Sequence, residues 1–232
     1  LPAAAHVVHP GTRSLARAGV RVKVELPDQF RTPIGRSGHG ALDAEEAHRV
    51  VPDRRGVGAD EHVEQRLDDA EQTLKQLVQE AHMVIRLTAI SAEQEPHSTL
   101  AAFLIHPSGQ CHGIHCGDSR IYHFHGKQFI HRSKDHSYVQ KLVEQGVLSE
   151  ESAKVHPKSN LLLACLGMEK APDPDLYRVD RLQPGDSLLL CSDGLWHYFS
   201  QQELGAALDS LSPREASEYL IDKARIRAQG GG

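Results

Sequence analysis

A single aspartate interrupts an apolar segment in the second half of the chain. The segment "LLLCSDGLWHYFS" (188–200) runs from hydrophobic residues directly into Ser192, Asp193 and Gly194. Aspartate is rarely buried without a partner, so a carboxylate at the end of a buried strand is typical of a metal or phosphate site. Glycine beside it would ease the tight turn that exposes the carboxylate. A turn aspartate that bonds only to local amides is the alternative.

The segments around this aspartate predict the strands that must position it. We expect one strand at 98–106, a turn at Pro107-Ser108-Gly109, and a partner strand at 110–117. The apolar segments on either side of His125-Gly126-Lys127 predict a hairpin. Two further apolar runs, 161–167 and 187–194, predict short buried strands, and another strand is expected around Val20–Leu26.

Helical periodicity and capping residues predict four helices. The longest is expected from Glu61 to Leu87, and the next begins at a cap on Asp135 and ends at Glu144. A capping box at Ser200 and Glu203 opens the third, and a proline directly after Ser212 opens the last. Because strands cluster in the middle and helices at the ends, the pattern predicts an α+β domain of packed layers.

The overall composition narrows the function classes. The chain has 232 residues and a net charge of −5, which gives no footprint for nucleic acid. It contains no apolar run near the ~18 residues of a membrane span, and its start lacks the charged and apolar regions of a secretory signal. We therefore expect a cytoplasmic protein that does not enter a membrane. In that compartment the cysteines are expected to be buried, reduced thiols: Cys111, Cys116, Cys165 and Cys191.

The segment "CHGIHC" (111–116) invites a zinc hypothesis. In a strand, Cys111 and His115 lie on one face, while His112 and Cys116 lie on the other. The two cysteines would be about 16 Å apart at ~3.3 Å per residue. One extended strand cannot wrap those four side chains around a tetrahedral ion, so the segment is interpreted as part of a sheet.

Three segments in order resemble one family, the metal-dependent protein serine/threonine phosphatases of the PP2C (PPM) type in their bacterial form. They are "CGDSRIYHF" (116–124), "RSKDHSYVQKLVEQGVLSEESAKVHPKSNLLLACLG" (132–167) and "PGDSLLLCSDGLWHYFS" (184–200). The family runs from Gly-Asp-Ser-Arg through Asp-His-Ser to Ser-Asp-Gly-Leu, and this order is kept here. The resemblance covers roughly residues 71–229 and implies an α-β-β-α sandwich of two antiparallel sheets flanked by helix pairs.

The resemblance also implies two or more Mg²⁺ or Mn²⁺ ions at one edge of the sandwich, where they position a water for in-line attack on phosphorus. Asp193 falls where the family has a carboxylate on the catalytic metal. Asp118 matches a family residue that helps to hold a third, looser metal. Gly194 and Gly117 are expected to support the turns that carry these aspartates. For the segment at Asp135, a helix cap and a substrate role both stay open, and the substrate-binding residues are unknown.

The chain departs from the family at both ends. The Arg-x-x-Asn-x-Asp and Asp-Gly-x-Gly-Gly motifs, which supply a phosphate-contacting arginine and a bridging carboxylate, are not legible. The nearest passage, "PIGRSGHGALDAEEAHRVV" (33–51), puts Ile34 at the place of the bridging aspartate, and isoleucine cannot bind a cation. The sequence ends at Gly230-Gly231-Gly232, before the family's late Asp-Asn ligand, and His197 stands where the family often has aspartate.

Two functions follow from this resemblance and these departures. The first is a protein serine/threonine phosphatase whose activity is impaired because core ligands are not evident. The second is a noncatalytic PP2C-like fragment or pseudophosphatase that acts as a binding module. Residues 1–60 are expected to form a poorly matching region, and residues 61–232 a PP2C-like domain that lacks its C-terminal strands. The expected partners are proteins phosphorylated by bacterial serine/threonine kinases, and the chain is expected to be a monomer.

Overall fold

The structure is a computed structural model, and it describes residues 5–8, 19–24, 61–92 and 95–229. The strands of these residues are β1 (Ala5–Val8), β2 (Gly19–Val24), β3 (Leu100–Ile105), β4 (Cys111–Cys116), β5 (Arg120–His125), β6 (Gln128–Arg132), β7 (Asp175–Val179) and β8 (Asp186–Cys191). The helices are α1 (Glu61–Ala92), α2 (Tyr138–Glu144), α3 (Glu150–Lys154), α4 (Asp193–Trp196), α5 (Gln201–Ser210) and α6 (Pro213–Gln229).

The strands form two antiparallel sheets of four strands each. The strand order is β1-β8-β5-β6 in the first sheet and β2-β3-β4-β7 in the second. In the first sheet, Cys191 at the end of β8 lies opposite Arg120 at the start of β5. The chain that leaves β8 and the chain that enters β5 therefore meet at the same edge of that sheet.

The hydrophobic core lies in three layers. Inner-face side chains of both sheets, such as Phe103 and Leu190, are buried together between the sheets. Leu208 of α5 and Leu220 of α6 pack on the outer face of the first sheet, and Leu74 of α1 packs on the second. Burial of each such side chain stabilises the fold by roughly 1.5–3 kcal/mol. The predicted α+β sandwich of two antiparallel sheets flanked by helices is confirmed.

Several predictions for the middle of the chain are confirmed. β3 and β4 pair across the expected turn, in which Gly109 has a φ of 92°. β5 and β6 form the expected hairpin around Gly126 and Lys127, and β8 is the buried strand before Asp193. The capping box that opens α5 is present as well. All four cysteines are buried and free, as expected.

Three local predictions are wrong. The apolar run 161–167 is not a strand, because its backbone bonds to the 136–138 loop and the side chains of Leu161 and Leu163 are about half exposed. Ser137, rather than Asp135, caps α2, since its Oγ accepts a hydrogen bond from the Gln140 amide. The first helix continues past the expected end at Leu87 to Ala92.

The N-terminal part of the chain contributes one strand to each sheet. β2 confirms the strand expected around Val20–Leu26 and pairs with β3, while β1 pairs with β8 and was not expected from the sequence. The passage 33–51, with Ile34, and the last residues 230–232 lie outside the described residues. In the described part of the chain, no helix is both long enough and apolar enough to cross a membrane.

Candidate functional site

A small cavity of about 50 Å³ lies at the edge where β8 ends and β5 begins. Asp118 and Asp193 both line it, so the structure brings together the two aspartates that the sequence motifs single out. Side chains of α2, α3 and the following loop close the other side of the cavity. Among the lining residues are Arg132, Asp135, Glu150, Lys154, Asn160 and His197.

Asp193 is the first residue of α4 and directly follows the end of β8. The preceding residue, Ser192, is fully buried and takes the N-cap position with an extended backbone. The Asp193 side chain is half-buried, and its Oδ1 accepts a hydrogen bond from the Gly194 amide at 2.7 Å. Gly194 lies inside α4 without a positive φ, so a short helix replaces the glycine turn that the sequence suggests. The strand end and the helix start together fix where this carboxylate emerges.

Asp118 is carried by the turn between β4 and β5. Gly117 has a φ of 102°, a conformation that side-chain-bearing residues rarely adopt. A Cβ at this position would also overlap the Thr99 side chain. The turn therefore requires glycine for two independent reasons, and it presents Asp118 half-buried at the cavity.

Arg120 and Asp135 form a buried ion pair beside the cavity, with side-chain exposures of 9% and 6%. Nε and one terminal nitrogen of Arg120 donate to the two oxygens of Asp135, both at 2.7 Å, and the other terminal nitrogen donates to the Tyr122 hydroxyl at 3.0 Å. Burial acts to lower the pKa of Arg120, but Tyr122 and Asp135 outweigh it and hold that pKa above its ordinary value. Three of the five N–H groups of this guanidinium are thus directed at the protein.

Trp196 links the two segments that carry the aspartates. Its indole Nε1 donates to the backbone carbonyl of Asp118 at 2.9 Å, and the Arg120 guanidinium lies over its ring at 3.4 Å from the centroid. Trp196 belongs to α4, the helix that begins with Asp193. The relative position of Asp118 and Asp193 is therefore held by hydrogen bonding and stacking, and not by the backbone alone.

Two basic side chains line the same cavity and were not identified from the sequence. One terminal nitrogen of Arg132 lies 3.4 Å from the Gln140 amide oxygen and 3.5 Å from Glu150, both at the long end for hydrogen bonds. Lys154 at the end of α3 is the other. Such cations can offset the charge of a phosphate that enters the cavity.

The donor set of the cavity fits one hard divalent cation. Mg²⁺ commonly binds through one or two carboxylates and keeps several waters. Of the lining carboxylates, Asp135 is engaged by Arg120, and Glu150 lies near Arg132. Asp118 and Asp193 are the lining carboxylates that the sequence motifs mark for such an ion. Asp135 and Glu150 are the other carboxylates among the described residues that line this cavity, and both lie in ion pairs with arginine.

The cysteines do not contribute nucleophiles to this site. Burial is the main reason that the pKa of Cys111 and of Cys116 is raised to about 12, which keeps both thiols protonated near neutral pH. The described cavity-lining residues include no cysteine. The thiols therefore act as small hydrophobic groups of the core.

Comparison with curated proteins finds bacterial phosphatases. The serine/threonine phosphatase Stp of Listeria monocytogenes is 33% identical over 159 residues, which are 68% of this chain and 63% of that protein. The protein phosphatase PhpP of Streptococcus pneumoniae is 39% identical over 108 residues, 46% of this chain and 44% of that protein. No protein-family model matches the chain. The chain thus spans between 44% and 63% of the length of these relatives.

Solved structures show the same fold. The S. agalactiae serine/threonine phosphatase superposes with a TM-score of 0.64 at 26% identity, over 69% of this chain and 66% of that one. The serine/threonine phosphatase Stp1 from Staphylococcus aureus has a TM-score of 0.69 at 22% identity, over 98% of this chain and 84% of that one. The second match extends over nearly the whole chain and shows a shared architecture.

Proposed function

Since the chain belongs to the bacterial PP2C-type family of serine/threonine protein phosphatases, we propose that it hydrolyses phosphoserine and phosphothreonine in proteins through a metal-activated water. The observation that carries this proposal is the single cavity lined by both Asp118 and Asp193. The two residues lie far apart in the sequence and reach the cavity from neighbouring strands. Two carboxylates that line one cavity suit a hard divalent cation and, with it, a phosphate ester.

We assign the metal-binding role to Asp193 first and to Asp118 second, with Mg²⁺ or Mn²⁺ as the cation. The catalytic domain of PstP, a solved structural neighbour, is in complex with two manganese ions, which supports this choice. When bound, the ion lowers the pKa of a coordinated water and offsets charge on the phosphoryl oxygens. Gly117 and the start of α4 with Gly194 keep the two carboxylates in place. Asp193 is in this sense the catalytic residue of the chain.

Arg132 and Lys154 are proposed to attract and orient the phosphate. Both line the cavity, and the carboxylate nearest to Arg132, on Glu150, is 3.5 Å away on an exposed helix. Arg120 is a positioning residue in this scheme, because its guanidinium is engaged by Asp135, Tyr122 and Trp196. It stabilises the shape of the site without contacting the substrate.

The proposal extends to the cellular location and the partners of the chain. We place the chain in the cytoplasm, which the free, buried thiols support because reduced cysteines are typical there. Its substrates are proteins phosphorylated by bacterial serine/threonine kinases, and it acts as a monomer without nucleic-acid or membrane partners. The division into residues 1–60 and 61–232 stays a prediction. The described strands of the first part, β1 and β2, pair with β8 and β3 of the second part.

The test is metal-dependent hydrolysis of p-nitrophenyl phosphate and of a phosphothreonine peptide, with Mn²⁺ and with Mg²⁺. We expect turnover that EDTA abolishes and that Asp193→Asn lowers by about a thousandfold, since a metal contributes several kcal/mol to such a transition state. Asp209→Asn is the matched control, because Asp209 is an exposed α5 residue near Lys127 and away from the cavity. Activity retained in Asp193→Asn would remove the assigned role.

Fluorescence separates metal binding from turnover. Trp196 is the single tryptophan of the chain, and it contacts Asp118 and Arg120 at the site. Mn²⁺ is paramagnetic, so its binding at Asp118 and Asp193 should quench this fluorescence, and the quenching should be lost in Asp193→Asn. Quenching without any turnover would favour the noncatalytic binding module over the phosphatase.

A further inference from the structure

A second group of potential metal ligands lies near the Gly117 turn, among residues that do not line the small cavity. It consists of His115, His136 and Asp175, and one ligating atom of each lies within 4.8 Å of the ligating atoms of the others. The group contains two imidazoles and one carboxylate, whereas the cavity offers carboxylates. Imidazole favours zinc and other transition metals over Mg²⁺.

The sheet register places two of the three ligands. His115 of β4 lies directly opposite Asp175 of β7, so the two side chains share one face of the second sheet. His136 approaches from the loop after β6, and backbone hydrogen bonds fix it from two sides. Its amide donates to the Gly117 carbonyl at 2.9 Å, and its carbonyl accepts from the Leu163 amide at 2.8 Å. The three residues are thus held by the backbone before any ion binds.

Hydrogen bonding defines the tautomer of His115. Its Nε2 lies 2.7 Å from the Lys134 carbonyl oxygen, which can only accept, so Nε2 carries the proton. Nδ1 then has the lone pair that a metal needs. Metal-binding histidines in proteins commonly donate their second ring nitrogen to a backbone carbonyl in this way.

One ligand-to-ligand distance suits a tetrahedral ion. Nε2 of His136 lies 3.4 Å from Oδ2 of Asp175, and bonds of about 2.1 Å to a tetrahedral zinc place two ligand atoms about 3.4 Å apart. The His115 ring is 4.7 Å from the His136 ring, between centroids. His115 is buried, while the Asp175 side chain is 59% exposed. An ion can therefore enter from the Asp175 side, with a water as its fourth ligand.

We propose that His115, His136 and Asp175 bind a transition-metal ion of the Zn²⁺ class, at a site separate from the proposed hydrolytic metal. A single strand cannot surround an ion, so "CHGIHC" by itself does not form a zinc site. His115 belongs to that segment, but its partners come from β7 and from the loop after β6. The site follows from tertiary structure alone.

Binding of an ion at this site changes the hydrogen bonding of the Gly117 turn. Nδ1 of His136 now accepts a long hydrogen bond of 3.4 Å from the Gly117 amide. Coordination through Nε2 moves the ring proton to Nδ1, so this weak bond is lost and two N–H groups face each other. Because Gly117 precedes Asp118, Zn²⁺ binding also perturbs the environment of Trp196, whose indole bonds to the Asp118 carbonyl.

The experiment measures Zn²⁺ binding to the chelator-treated chain by calorimetry, with Mg²⁺ in large excess to occupy the carboxylate site. We expect one tight equivalent of Zn²⁺, and Co²⁺ in its place should give the intense visible bands of a four-coordinate ion. Asp175→Asn and His136→Gln should each weaken binding by at least about a hundredfold, since loss even of supporting groups costs 10–100-fold. Asp175 is exposed, so its variant tests the site without disturbing the core.

The controls are His156→Gln, a histidine outside the cluster, and Asp193→Asn. Both should bind Zn²⁺ as the native chain does, so loss of hydrolysis and loss of this site are separate results. The proposal is overturned if the native chain lacks a tight equivalent under these conditions, or if Asp175→Asn and His136→Gln retain native affinity.

Discussion

Two arginine–carboxylate pairs with the same chemistry occupy very different places in this protein. Arg120 binds Asp135 beside the cavity and stacks on Trp196, with side-chain exposures of 9% and 6% for the pair. Arg227 binds Glu203 between α6 and α5 and stacks on Phe199, with exposures of 39% and 44%. Both arginines form short bonds to oxygen and cover an aromatic ring. The pairs differ in burial and in the number of bonds, since Arg120 binds both oxygens of its partner and Arg227 binds one.

The difference in burial indicates what each ion pair contributes to the protein. A buried pair contributes little net stability compared with apolar residues, but loss of one partner leaves a buried charge and is very costly. An exposed pair is screened by water and salt and contributes little in either case. The Arg120–Asp135 pair therefore fixes the geometry of the cavity, whereas the Arg227–Glu203 pair connects α6 to α5.

The largest expected effect is that of removing one member of the buried pair. Arg120→Met leaves the Asp135 carboxylate buried without its partner, and we expect the free energy of unfolding to fall by about 3–5 kcal/mol. Urea denaturation at neutral pH measures this. A loss below 1 kcal/mol would mean that water already reaches the pair.

Replacement of both members should restore most of that loss. In the double variant Arg120→Met with Asp135→Leu, no buried charge is left, so we expect stability near the native value. Trp196 fluorescence should nevertheless change, because the stacked guanidinium is gone. If the double variant is as unstable as Arg120→Met, hydrogen bonds to Tyr122 and packing carry the effect instead of charge.

A smaller effect is expected at the exposed pair. Arg227→Met should lower the free energy of unfolding by about 1 kcal/mol or less, and added salt should reduce the difference. Arg214→Met is the matched control, since Arg214 is a more exposed arginine paired with Glu218 on α6. A loss at Arg227 comparable to that at Arg120 would contradict the role given to burial.

The smallest effect is a pH dependence. A hydrogen bond from Arg227, and then one from the Ser200 amide, lowers the pKa of Glu203 to about 2. A lowered pKa stabilises the fold at pH values above the ordinary glutamate pKa, and this contribution is lost as the pH falls toward 2. Native protein and Glu203→Gln should therefore differ by less than about 1 kcal/mol at pH 6, since the side chain is well exposed. They should converge near pH 2 in urea titrations, and a difference that grows on acidification would reverse the assignment.

Local signals in the sequence were sufficient for several elements. The capping box of Ser200 and Glu203 defines the start of α5, and the glycine between β5 and β6 defines that hairpin, because the interacting groups are few residues apart. β7 was missed because its sequence has only five residues, three of them exposed, and contains no continuous apolar run. The run 161–167 was misread because two of its four leucines are exposed in a loop, where an apolar run does not indicate a buried strand.

The same limit applies to the candidate site. Asp193 and Asp118 could be selected from their motifs, but the sequence left the substrate-binding residues unknown and left a helix cap and a substrate role open at Asp135. Arg132 and Lys154 carry no motif that marks them, and they reach the cavity only through the packing of α2 and α3. The pairing of Asp135 with Arg120 depends on the path of the β5–β6 hairpin.

The sequence by itself determined the residue types available for chemistry, the hairpins and caps formed by neighbours, and the family that the chain resembles. Tertiary structure alone decided that Asp118 and Asp193 share a cavity and that His115 meets His136 and Asp175. The physical reason is the separation in sequence between the residues that interact. Local contacts are encoded by nearby residues, whereas sheet register and helix packing depend on the whole core and set which distant side chains meet.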